Sequence, residues 1–134
     1  MLLLRPMNAL ATADDFTRAL ANFARSVKPI ESNLTLIIEP LVDNGNSVPV
    51  SISADLPLTG PNAVTHLALF NEKNPQPDIA VFEITPLMGH AEISTRIRLA
   101  GTQRVAAMAR TADGRVYMKS LEVIVTTAAC AEMD

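Results

Sequence analysis

The chain has 134 residues, of which 49% are hydrophobic and 19% charged, and fourteen acidic against eleven basic side chains leave a net charge of −3. That length suits one domain, which buries roughly two thirds of its unfolded surface and needs no disulfide or metal staple. Mild acidity without a basic run argues against a nucleic-acid partner, and an aromatic content of 4% without Trp removes stacking platforms for bases.

Leu2, Leu3 and Leu4 with Arg5 fall short of the roughly 7–15-residue apolar core of an export signal. Ala9-Leu10-Ala11 nevertheless has the small-x-small form of a cleavage site. Residues 1–12 are therefore read as a leader remnant or a disordered segment. No apolar run reaches the ~20 residues of a spanning helix, so no membrane association is expected.

Residues 13–29 read as one amphipathic helix, with Thr12 as its cap, and Asp14 and Asp15 suited to the positive end of the helix dipole. Phe16, Leu20, Phe23 and Val27 recur at spacings of four, three and four, which makes one apolar stripe to pack on the main body. Arg25 and Lys28 fall in the last turn, and Pro29 ends it.

From residue 34 the period changes to alternation. Strands are expected over 34–39, 48–53, around Leu67 and Leu69, 79–84, 92–99, 105–110 and 116–126, seven in all. Asp43-Asn44-Gly45-Asn46 and Asn74-Pro75-Gln76-Pro77 are turns between them. In the stretch from Glu92 to Leu99, Ile93, Thr95, Ile97 and Leu99 face inward, while Glu92, Ser94, Arg96 and Arg98 face out. Asp113-Gly114 joins the last two strands as a tight hairpin, because Gly accepts positive φ. Short strands with regular turns over residues 30–127 predict an all-β, immunoglobulin-like antiparallel sandwich behind a short N-terminal helix.

Catalytic motifs are missing: the sequence has no nucleophile elbow, no phosphate-binding glycine loop and no H-x-x-x-H spacing. His66 lies on a strand and His90 in a loop. Met88 and His90 could offer soft ligands to copper, but a solvated loop histidine beside a packing methionine accounts for them with fewer demands. Glu72 and Lys73 read as a polar turn, and Arg96 and Arg98 as a solvated strand face. No cofactor or metal is expected.

The remaining chemical group is Cys130, the single cysteine. It cannot form an intramolecular disulfide, though a mixed disulfide with another chain stays open. A lone cysteine is commonly a buried core residue, but this one falls beyond the last strand, among Ala128, Ala129 and Ala131. Glu132 and Asp134 lie close by, and negative neighbours disfavour a thiolate. A self-sufficient nucleophile would want a histidine or a helix N-terminus beside it. The chemistry points to a passive attachment point activated in another protein's site, so the chain is not expected to be an enzyme.

At this point the sequence resembles the SoxY family, the sulfur carriers of the periplasmic thiosulfate-oxidising Sox system. The resemblance rests on "ADDFTRALANFAR", on "DNGNSVPVSIS" after an apolar strand, on "LFNEKNPQPDIAVFEI", and on "ISTRIRLAGTQRVAAMARTADGRVYMKSLEVIVT" leading to the terminal cysteine. It implies a SoxZ-like β-sandwich partner subunit, covalent attachment of thiosulfate-derived sulfur at Cys130, cytochrome and hydrolase enzymes that load and release it, and a periplasmic location. The family's arm reads Gly-Gly-Cys-Gly-Gly, whereas residues 128–134 here run Ala128-Ala129-Cys130-Ala131-Glu132-Met133-Asp134. Alanine restricts the positive-φ conformations open to glycine, and the added acids meet an anionic cargo. The alternative is an interaction subunit that kept the sandwich and lost the carrier role.

Overall fold

The computed structural model describes residues 13–74 and 77–127. One helix, α1 (Ala13–Ala24), precedes eight strands: β1 (Leu34–Ile38), β2 (Leu41–Val42), β3 (Val48–Ala54), β4 (Val64–Asn71), β5 (Asp78–Glu83), β6 (Ala91–Ile97), β7 (Gln103–Thr111) and β8 (Val116–Val125). These form a three-stranded sheet in the order β1-β3-β6 and a five-stranded sheet in the order β2-β8-β7-β4-β5. Alternation of apolar and polar residues buries one face of each strand in β1 and β3. Leu36, Val50, Ile52 and Ile97 of the smaller sheet meet Leu67, Leu69, Val105 and Val123 of the larger in one aliphatic core. The all-β sandwich follows from that pairing of two apolar faces.

Of the inward residues expected between Glu92 and Leu99, Ile97 and Leu99 are buried and Ile93 and Thr95 half-buried, whereas Glu92, Ser94, Arg96 and Arg98 are exposed. Strand β2 was not among the seven expected. It has only two residues and pairs in parallel with β8, Leu41 opposite Ile124 and Val42 opposite Val125. Two residues are too few to show a period, which is why alternation missed it. The β7–β8 connection has Ala112 and Asp113 at its corner and Gly114 at φ 86°. The Gly114 N–H donates to Thr111 O at 3.0 Å, and the Thr111 N–H to Arg115 O at 3.0 Å, giving the three-residue hairpin whose third residue is left-handed.

The helix departs from expectation at its end. It stops at Ala24, not in the segment reaching Pro29, because Arg25 (φ 53°) and Ser26 (φ 63°) are both left-handed. The Ser26 N–H donates to Ala21 O at 3.1 Å and the Arg25 N–H to Asn22 O at 3.2 Å, the bond pair that closes a helix end. Arg25 and Lys28 thus lie beyond the last turn, and Val27 is 42% exposed rather than part of the stripe. The turn instead delivers Ile30 to the edge of β8, where its N–H donates to Val116 O at 2.8 Å and its carbonyl accepts from Met118 N at 3.0 Å. Thr12, the expected cap, lies outside the described residues.

Phe16, Phe23 and Ala24 of α1 cover the outer face of the large sheet, against Ala68, Phe70, Ala106, Met108 and Val116. The rings of Phe23 and Phe70 meet edge-to-face with centroids 5.7 Å apart, and the Arg110 guanidinium sits 4.6 Å above the Phe23 ring. With both faces of β4 covered, its last five residues are all buried, so the helix is part of the domain and not an appendage.

Candidate functional site

Cys130 lies outside the described residues. The structure does define its root. Strand β8 ends at Val125, and Thr126 and Thr127 continue it into a clasp formed by the loop after β2. The Thr126 N–H donates to Val42 O at 3.0 Å, and its hydroxyl to Asp43 O at 3.1 Å. The Gly45 N–H donates to Thr127 O at 2.8 Å, while Gly45 O accepts from Leu99 N, also at 2.8 Å. Gly45 thereby ties the end of the large sheet to the end of β6 in the small one. The Val125 N–H donates to Thr102 Oγ1 at 2.9 Å. Backbone bonds of this kind leave little freedom up to Thr127. From there Cys130 is three peptide steps away, within about 11 Å of Thr127 between α-carbons.

The same end of the sandwich carries the polar segment after β4. The expected polar turn at Glu72 and Lys73 is there, but it serves as more than solvated surface. Asn74 Nδ2 donates to Arg98 O at 2.6 Å, and Asn74 Oδ1 accepts from Ala100 N at 2.9 Å and from Gln103 Nε2 at 3.0 Å. Gln103 Oε1 accepts from Lys73 N at 3.0 Å, and Asn71 Oδ1 from Asn74 N at 3.1 Å. Gln103 is 1% exposed, so its amide must be satisfied internally, and it is. This node fixes the 98–103 loop, which in turn supports Val125 through Thr102. Sequence reading missed it; the signal was Asn71 and Gln103, two amide side chains at the ends of otherwise apolar strands. Pro75 and Gln76 lie outside the described residues.

Of the other residues singled out in the sequence, Met88, His90 and His66 do not join this end. Met88 sits in a short 3-10 turn, Pro86–Met88, and His90 follows it, exposed. Both lie at the opposite end of the sandwich, since β6 runs from there towards the clasp. His66 is on the outer face of β4, opposite Glu83 and beside Arg110 in register. Its Nδ1 is 2.9 Å from Thr65 Oγ1, whose own proton goes to Arg110 O at 3.1 Å, so Nδ1 carries the hydrogen and donates. Burial and then the Arg110 charge hold the His66 pKa below the ordinary imidazole value, with Glu83 opposing. Arg96 Nη1 donates to Ser47 Oγ at 3.2 Å, while Arg98 is exposed. Among the described residues, no three His, Cys, Asp or Glu side chains gather as a metal site. No helix among them is long and apolar enough to cross a membrane.

A family model described as "Sulfur oxidation protein SoxY" matches residues 20–130. No curated protein matches the chain. Among solved structures, superoxide reductase (neelaredoxin) from Ignicoccus hospitalis superposes with a TM-score of 0.61 at 11% identity, over 70% of this chain and 80% of that one. A putative superoxide reductase from Thermotoga maritima gives 0.59 at 10% identity, over 92% and 98%. Identities this low speak to the sandwich fold alone.

Proposed function

The chain belongs to the SoxY family of sulfur oxidation proteins, and from that premise we propose that it is a carrier holding sulfur-oxidation intermediates covalently on Cys130. The observation that carries this reading is that the family match runs to residue 130, the single thiol. It is supported by a root fixed as far as Thr127, which confines the thiol to a short radius at one end of a stable body. Joining the Cys130 thiol to thiosulfate makes an S–S bond and releases one proton and two electrons. Loading therefore needs an electron acceptor, the role of a cytochrome partner, and release needs a hydrolase. The carrier contributes no catalytic group or cofactor. A SoxZ-like sandwich subunit and a periplasmic location belong to the same proposal.

Intact-mass measurement on protein from thiosulfate-oxidising cells tests it. A reductant-labile adduct is expected on the wild type and none on Cys130→Ser, which should also stop thiosulfate oxidation. An unmodified Cys130, together with normal oxidation in the Cys130→Ser strain, refutes the carrier role.

One observation favours a second reading, an interaction subunit without cargo: Ala128, Ala129 and Ala131 stand where the family has glycine. In that case a SoxZ-like protein co-purifies equally with Cys130→Ala, and no sulfur turns over.

A further inference from the structure

We propose that the cleft beside the clasp, between β2 and the start of β3, is the surface on which the enzyme that loads Cys130 docks. The enzyme would insert an apolar side chain there and set a basic group beside Glu39 and Asp43. This rests on the carrier reading. Two exposed aliphatic side chains mark the place: Leu41, 55% exposed, and Ile124, 48% exposed, are direct neighbours in the β2–β8 register. Single exposed apolar residues are ordinary on a protein surface. An adjacent pair three residues before the root's last fixed residue is more specific.

The cleft itself is about 220 Å³, lined by Glu39, Leu41, Val42, Asp43, Val48 and Pro49. A cavity of about 150 Å³ accepts a benzene ring, so this one has room for one aromatic or branched side chain. Glu39 and Asp43 are its acidic lining, while Arg96 stands in register with Pro49 on its other side and Glu122 stands in register with Arg104. A cation on the partner would complement the Glu39 and Asp43 side.

Reach decides which protein covers the surface. Any site that encloses the Cys130 sulfur is brought within about 14 Å of the Thr127 α-carbon. A standard interface covers about 800 Å² per partner, a disc of roughly 16 Å radius, so the surface around the root falls under it. The most exposed large apolar side chain among the described residues, Leu87 at 96%, does not. It lies at the far end of the sandwich, whose length along the ten residues of β8 is about 33 Å.

The test follows Cys130 loading by time-resolved intact mass in thiosulfate-fed, thiosulfate-oxidising cells. Leu41→Asp/Ile124→Asp should load at one tenth of the wild-type rate or less. The milder Leu41→Ser/Ile124→Thr, chosen to keep β2 paired, should load several-fold more slowly, and Leu87→Asp at the wild-type rate. Alkylation of Cys130 by iodoacetamide should be the same in all. Wild-type loading in both double variants overturns the proposal, as does an equal loss in Leu87→Asp or a parallel loss of alkylation. A wild-type protein that never acquires an adduct refutes the carrier reading itself, and the docking surface with it.

Discussion

Asn74 shows how much one side chain can hold at this end of the molecule. Its amide satisfies Arg98 O, Ala100 N and Gln103 Nε2 together. Asn74→Ala removes all three and leaves the Ala100 N–H and Arg98 carbonyl to find water. Chemical denaturation should show a loss of about 2–3 kcal/mol, the scale of stranding buried or half-buried polar groups. His66 sets a pH dependence. Its pKa is lower in the folded protein than in the unfolded chain, where it titrates near the usual ~6.5. As pH falls through that value the unfolded state binds the proton first, so stability declines until the lower, folded pKa is passed. Melting temperature should therefore fall between pH 7.5 and 5.5, and the slope should flatten in His66→Gln. Asp113 acts in the same sense at lower pH. The Thr111 hydroxyl, its main partner, holds its pKa down, so its contribution is present above the ordinary carboxylate value and is lost as pH falls through the folded one. Neither amide network nor imidazole shift was legible in sequence, because both depend on partners more than twenty residues away.

At the scale of elements, the helix was legible and its end was not. The stripe of Phe16, Leu20 and Phe23 is read correctly from its spacing. Val27 fits the same spacing but is lifted away by the left-handed pair Arg25–Ser26. Nothing in "NFARSVKP" announces that turn, since glycine usually marks it. A left-handed conformation costs a residue with a β-carbon about 1–2 kcal/mol, and glycine's extra freedom in the unfolded chain offsets part of the gain. Arg25→Gly should thus stabilise the domain by up to about 1 kcal/mol in a denaturant titration. It also removes one of the positive charges near His66, so the acid-side loss of stability should shrink in the same variant. The missed strand β2 has a comparable cause: its register comes from β8, not from its own two residues.

For the whole molecule, the central question is whether an alanine-flanked thiol on a rigid root can enter another protein's site. Replacing Ala128, Ala129 and Ala131 together by glycine should speed Cys130 loading severalfold in thiosulfate-fed cells. Unchanged loading would mean that arm flexibility does not limit transfer. The sandwich class, the inward faces of its long strands, the single thiol and the family resemblance were all determined by the sequence alone. They depend on alternation and residue type, which are local properties of the chain. The tertiary structure alone decided the early end of the helix, the parallel β2, the Asn74–Gln103 node and the clasp at Thr127. It also separated His66, Met88 and His90 from the root of the arm. Those features arise where backbone or amide groups distant in sequence must satisfy one another, and such pairings leave no period to read.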